Sequence, residues 1–507
     1  MNFFFRKTIW VLLTAFLISV AVRIPNLDRP LSKHHEFCTS FALIIMQAWY
    51  DGGIATYGLN PSITYPGRSN EYIDRYAADY MQRDGRYFYI SHPPLAYYLP
   101  YFTFALLKIY PDALALQVFN LLFHFLTALI LYLSVCIITR ENALKQFSPA
   151  AFFAALFYLF MPATLWFNSN VYMADMFVQN TWIISLYFLL KNFYGDKEQS
   201  ILYLTLFGGS LFLMIYTDWP GAFFATGIAL VCAQKIFFQK KRKFIPLLVV
   251  TIVATLLSLA VIMLQYSTIA GWAAMFRYFL FNYNEMGIPG LQSGLHFFQI
   301  VITLVFNYAV SYLPLLIFLA VGSFLIFRKS VEPSVSSKDF FLVMWLTLFP
   351  VFLDHLIFPE YSPQDFSVLK ASFFICITSG ILLSELIKTF YKQAVFKTSL
   401  ITFSICAMGI AMYYYINPPG KYSFKGDRYD LEKNTGSFIG SNSGKDEVAF
   451  TTGIEITPQV MYYAHRNIKN VNNSSAALSF LRAHQLRNGI IFSFQNDSLQ
   501  YNRIIQP

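Results

Sequence analysis

Apolar stretches near residues 8–22, 114–138, 149–166, 176–190, 201–216, 220–238, 245–265, 298–327, 339–357, 366–387 and 398–416 recur along the sequence. Each approaches the ~20 residues needed to cross a bilayer core as a helix. Lipid offers the backbone no hydrogen-bond partners, so such a series folds as a bundle of helices. Composition agrees: of 507 residues, 56% are hydrophobic and only 13% charged, with a mean hydropathy of +0.48, whereas a soluble domain carries about 25% charge. The reading is a polytopic all-α membrane protein of about 11 spans plus interfacial helices.

The net charge of +10 is accounted for by orientation. If the short apolar segment 95–107 does not cross, alternate loops carry Arg6 and Lys7, Arg140 and Lys145, Lys191 and Lys197, Lys235 with Lys240 to Lys243, Arg328, Lys329 and Lys338, then Lys388, Lys392 and Lys397. Basic loops mark the cytoplasmic side. The other loops, and everything after residue 416, then face the extracytoplasmic side of a plasma or bacterial inner membrane. Residues 95–107 are accordingly read as a re-entrant or interfacial helix. No nucleic-acid motif accompanies the basic charge, and membrane lipids are its partner.

Polar groups gather on that outer face. The first outer loop, 23–98, places His34, His35 and Glu36 at the head of an amphipathic run, Phe37, Phe41, Ile44, Ile45 and Ala48, suited to lying on the bilayer surface. It closes on His92-Pro93-Pro94-Leu95. Asp175 stands where an outer turn re-enters as a helix, either as a favoured N-terminal acid or as a functional carboxylate, since charge at membrane depth is costly. Asp218, before Pro220 and Gly221, is either an N-cap or a site acid. A further loop carries Asp354, His355, Glu360, Tyr361 and Asp365, and Lys370 follows inside apolar sequence. Lys370 and Arg277 either snorkel to the interface or bind phosphate.

These residues in this order resemble the C-type glycosyltransferase superfamily, family 39, which includes protein O-mannosyltransferases and lipid A aminoarabinose transferases. The shared signals are His35-Glu36 after the first span, His92-Pro93-Pro94-Leu95, and Asp175, and the resemblance runs over about residues 1–420, with residues 1–416 as the transmembrane domain. The resemblance implies inverting transfer of a sugar from a polyprenyl-phosphate donor to a lipid, glycan or protein acceptor. It implies Glu36, with His35, as base, Asp175 as second acid in the same cavity, and His92, Lys370 and Arg277 toward the donor phosphate. Asp218, His355 and Asp365 complete the expected substrate-binding set. The family's usual Asp-Glu pair is His-Glu here, so the chain departs from the pattern at the base. The one cofactor the resemblance allows is a divalent metal, which some superfamily members use, although the sequence offers no ligand set for it. A transporter, or a silent scaffold of the same fold, are the competing readings.

Residues 417–507 read as a small extracytoplasmic α/β domain, with strands at 447–451 and 489–494 and helices at 458–465 and 476–485. The five cysteines, Cys38, Cys136, Cys232, Cys376 and Cys406, have no metal or disulfide spacing. The triplets Asn472-Asn473-Ser474 and Asn496-Asp497-Ser498 match glycosylation acceptors by pattern alone.

Overall fold

The computed structural model describes residues 3–32, 34–73, 81–143, 146–194, 200–291, 293–329, 335–390, 393–417, 429–495 and 498–506. Lys145, Lys197 and Lys392 of the basic loops, and Asn496 and Asp497 of the second triplet, lie outside them. Helices occupy every expected apolar stretch. They are α1 (Phe3–Arg23), α2 (Glu36–Gly52), α3 (Leu95–Leu107), α4 (Ala113–Ile138), α5 (Pro149–Phe160), α6 (Pro162–Phe167), α7 (Ala174–Tyr194), α8 (Ile201–Ile215), α9 (Pro220–Ala233), α10 (Ile245–Met286), α11 (Gly294–Lys329), α12 (Ser337–Ile357), α13 (Ser372–Thr389) and α14 (Ala394–Ile416). Among the described residues, eight helical segments are long and apolar enough to cross a membrane, and the chain is a multi-pass membrane protein. The stretches 149–166 and 201–216 form shorter apolar helices, and α3 has 13 residues, about 20 Å of helix.

Two departures have local causes. The stretch 149–166 is broken at Met161, whose extended backbone (ψ 145) and following Pro162 end α5 and start α6. The span near 245–265 does not end in a loop: α10 runs on to Met286, bending at Ala270 and at Gly271, whose φ of 82 suits a residue without a side chain.

Helices α5 and α13 pack through small residues, Ala150, Ala151, Ala154 and Ala155 against Ser379 and Gly380, all buried, which lets backbones approach closely in a bilayer. A Cβ at Gly380 would stand 2.4 Å from the Ala150 carbonyl oxygen and 2.8 Å from the Ala154 nitrogen. Gly380→Ala is therefore expected to cost about 1–3 kcal/mol, read as a lower Tm in detergent. An unchanged Tm would contradict this close approach.

After α14 the chain builds α15 (Tyr429–Asn442), β3 (Glu447–Thr452), α16 (Pro458–Ala464), β4 (Ile468–Asn470), α17 (Ser474–Ala483), β5 (Asn488–Gln495) and β6 (Ser498–Ile505), following a short β1 (Gln82–Arg83) and β2 (Arg86–Tyr87) hairpin in the first loop. The sheet order is β4-β3-β5-β6, with β6 antiparallel and the other pairs parallel. Strand β6 is mostly exposed, so its sequence lacks the buried alternation that reveals a strand.

This C-terminal part docks onto the first loop. Ile44 and Tyr65 share a core with Ile439, Val460, Ala464 and Phe492. Asn467 Oδ1 accepts from the Tyr65 amide at 2.9 Å, Gln459 Nε2 donates to the Ser32 carbonyl at 2.8 Å, and the Leu31 amide donates to Tyr463 Oη at 2.9 Å. Helix α2 therefore does not lie open on the bilayer surface as its amphipathic pattern suggested. Its second face is covered by α16, and Cys38, Ala42, Leu43, Ile44, Ile45, Met46 and Trp49 are all buried.

Candidate active site

Five ionisable side chains from five separate elements meet at one end of the bundle. His92 precedes α3, Asp175 is in the first turn of α7, Asp218 ends the α8–α9 turn, Asp354 is in the last turn of α12, and Lys370 lies in the 3-10 segment Asp365–Ala371 that leads into α13. Lys370 Nζ donates to Asp354 Oδ2 at 2.7 Å and stands 3.4 Å from Asp175 Oδ1. His92 Nδ1 donates to Asp218 Oδ1 at 3.0 Å, and its Nε2 is 3.9 Å from Asp175 Oδ2. Tyr361 Oη donates to Asp175 Oδ2 at 2.8 Å. His355 borders this group through Tyr308 Oη at 3.0 Å and Ser362 Oγ at 2.8 Å.

The backbone around these residues is fixed by buried hydrogen bonds. The turn before α7 is clamped by Thr39 Oγ1, which donates to the Asn170 carbonyl and accepts from the Tyr172 amide, while Asn120 Nδ2 donates to the Val171 carbonyl. Tyr266 Oη donates to the His92 carbonyl and Trp219 Nε1 to that of Ser91. Arg23, fully buried at the end of α1, donates to the carbonyls of Thr164 and Leu165 and to His124 Nδ1. It adds a donor to the last-turn carbonyls of α6, of which that of Thr164 also accepts from the Asn168 amide.

Burial strengthens this group. Asp175 is 1% exposed and Lys370 2%, and neither charge is stable there without the other. At His92, burial opposes protonation, but the charge and hydrogen bond of Asp218, with Asp175 behind, outweigh it and raise the pKa above 6.5. At Tyr361, burial and then Asp175 push the phenol well above 10, so it stays a donor.

A second group lies beside the first. His34 Nε2 donates to Asp365 Oδ2 at 2.7 Å, and His35 Nε2 is 2.7 Å from Asp365 Oδ1. Phe366 and Tyr361, with ring centroids 5.4 Å apart, stand between the groups, and the ring of His35 meets Phe366 edge-on at 5.1 Å. Cys38 lies near both: burial, then Asp175 and Asp365, push its thiol well up.

The structure thus brings together His92, Asp175, Asp218 and Lys370, with His355 at their border and His35 with Asp365 alongside. Glu36 has partners of its own. Its two carboxylate oxygens accept from Arg29 at 2.7 and 3.0 Å and from the Ser32 amide, beneath the docked C-terminal part, and it shares no hydrogen-bond or ion-pair partner with Asp175. Arg277 is exposed on the second half of α10 and is not among Lys370's ion-pair partners. Asp354 and Tyr361 were visible in the sequence as members of a polar loop. Which of that loop's groups turned inward depends on α12 ending at Ile357, and no local pattern marks that.

His92, Asp175 and Asp218 are the residues of this group that could hold a divalent ion, their ligand atoms lying within 4.8 Å of one another. Lys370 already faces Asp175 there. An ion there would compete with the Lys370 ammonium for Asp175.

No protein-family model matches the sequence, and no curated protein matches it significantly. Solved structures do. ArnT from Cupriavidus metallidurans bound to undecaprenyl phosphate superposes with a TM-score of 0.57 at 12% identity, over 96% of this chain and 93% of that one. The archaeal oligosaccharyltransferase AglB from Archaeoglobus fulgidus, in complex with an inhibitory peptide and a dolichol-phosphate, gives 0.56 at 12% identity, over 96% and 69%. The Archaeoglobus fulgidus oligosaccharyltransferase in complex with Zn and sulfate gives 0.56 at 14%, over 95% and 68%. The chain therefore has the fold of the C-type membrane glycosyltransferases. It covers ArnT almost end to end and about two thirds of the archaeal oligosaccharyltransferase.

Proposed function

We propose that this protein is an integral membrane glycosyltransferase that moves a sugar from a polyprenyl-phosphate donor to a lipid, glycan or protein acceptor on the extracytoplasmic face. The observation that carries this reading is a buried lysine and a buried histidine, held by three aspartates, at one end of a fold shared with proteins solved with undecaprenyl phosphate and dolichol-phosphate.

The acceptor hydroxyl attacks the anomeric carbon as its proton passes to Asp175. The bond from that carbon to the phosphate oxygen breaks, and polyprenyl phosphate departs with the bonding electrons. Lys370 and the His92 cation neutralise charge on the departing phosphate, where preorganised donors act most strongly. Tyr361 orients Asp175. A single displacement of this kind inverts the anomeric centre. Glu36, engaged with Arg29, shapes the loop above the site rather than taking the proton. No step is routed through a metal.

Two measurements test this reading. Membranes containing the protein are offered a panel of radiolabelled polyprenyl-phosphate sugars with cell-envelope acceptors. Transfer from at least one donor is expected, and none from any donor would count against an active enzyme. The raised pKa of His92 means its cation is present below pH 6.5 and is lost as pH rises through the folded value, so transfer should fall on the alkaline side. His92→Gln should remove that limb, and an unchanged profile would dismiss the histidine's role. For sidedness, a cysteine at exposed Ser475 should react with an impermeant maleimide in intact cells, and one at Lys241 only after lysis. The same reactivity at both would reverse the assignment.

A further inference from the structure

His34, His35 and Asp365 form a compact group that the transfer reaction above does not use. Consecutive residues of an extended chain point to opposite sides, yet both imidazoles converge on one carboxylate, with ring centroids 5.2 Å apart. The chain achieves this by placing His35 in the left-handed region, at φ 57 and ψ 0, a conformation uncommon for residues with a side chain and found where surroundings impose it. Asp365 is delivered from a distant element, the 3-10 segment before α13. Its Oδ1, although 2.7 Å from His35 Nε2, has no hydrogen bond of good geometry, and neither does His35 Nδ1.

We infer that His34, His35 and Asp365 form a binding site for a divalent transition-metal ion of the zinc class. The three ligand atoms lie within 4.8 Å of one another. Two imidazoles and one carboxylate suit zinc and its neighbours, whereas magnesium and calcium take oxygen ligands. A tetrahedral ion with bonds of about 2.0–2.1 Å holds its ligand atoms about 3.3 Å apart. Seating one ion between these groups therefore opens each 2.7 Å contact by about half an ångström. Unlike the first group, this one has no lysine or arginine within ion-pair distance of its carboxylate among the described residues, whose ion-pair partners are the two imidazoles. Trp166, 5.0 Å from the His34 ring, and Phe366 wall it. A cavity of about 50 Å³, large enough for water, is bordered by His34 and Asp365 together with Asn307, Ser311 and Tyr415.

The site is tested on the full-length protein in detergent after chelator treatment. Cobalt(II) is titrated and the visible d–d absorption of tetrahedral cobalt followed, with zinc(II) and magnesium(II) as competitors. One cobalt per chain is expected, displaced by zinc and not by magnesium. His35→Gln and Asp365→Asn should weaken binding about 100-fold or more, while Asp218→Asn, in the other group, should leave it unchanged. Zinc should raise the Tm of the wild type and of Asp218→Asn but not of Asp365→Asn, which separates a lost ligand from a misfolded variant. No binding by the wild type, or binding lost in Asp218→Asn and kept in Asp365→Asn, overturns the inference. Because the readout is an ion's spectrum, it stands or falls apart from sugar transfer.

Discussion

Asp175→Asn is expected to lower transfer by about 10²–10⁴-fold, the usual contribution of a general base, at some cost in stability but with the protein still folded, because Lys370 keeps its 2.7 Å pair with Asp354. The amide keeps the shape and can still accept from Tyr361, which now donates to Asp175 Oδ2 at 2.8 Å, but it cannot take the acceptor's proton. Donor affinity should change little, since the groups proposed to meet the phosphate are Lys370 and His92. Glu36→Gln is the informative comparison: it weakens the bidentate contact with Arg29 and should act mainly on stability. If Glu36→Gln abolished transfer and Asp175→Asn did not, the base would have to be reassigned to the first loop.

Lys370→Met has the larger effect on the fold. Removing the ammonium leaves Asp175 and Asp354 buried with the Lys370 ion pairs gone, a situation that costs about 3–5 kcal/mol. The Tm in detergent should drop sharply and transfer should disappear. The double variant Lys370→Met/Asp354→Asn distinguishes the two roles. Neutralising Asp354 should restore part of the stability, whereas transfer should remain absent because nothing replaces the cation at the phosphate. Recovery of transfer in the double variant would show that Lys370 serves only to balance charge.

The membrane architecture was legible because about 20 apolar residues can satisfy their backbone in lipid only as a helix. The breaks were less so: Met161–Pro162 and Gly271 are ordinary residues until packing requires a bend. In the site, His92, Asp175, Asp218 and Lys370 stood out as polar groups next to apolar runs, and the structure gathers them. Glu36 stood out equally, but its partner Arg29 is seven residues away, and pairing across an irregular loop has no periodicity to betray it. His34 was adjacent to His35 in the sequence, yet their convergence on Asp365, 331 residues on from His34, follows from tertiary packing alone.

The docking of the C-terminal part on the first loop also sets a timetable. The Tyr65 amide waits for Asn467, 402 residues later, and the Ser32 carbonyl for Gln459, 427 residues later. At a synthesis rate of about 5–20 residues per second, that interval is about 20–80 s. For that time α2 is without the core supplied by Ile439, Val460 and Ala464. A nascent chain halted before residue 439 would thus carry a first loop with apolar Ile44 uncovered, a surface that a chaperone or a quality-control protease can read as unfinished.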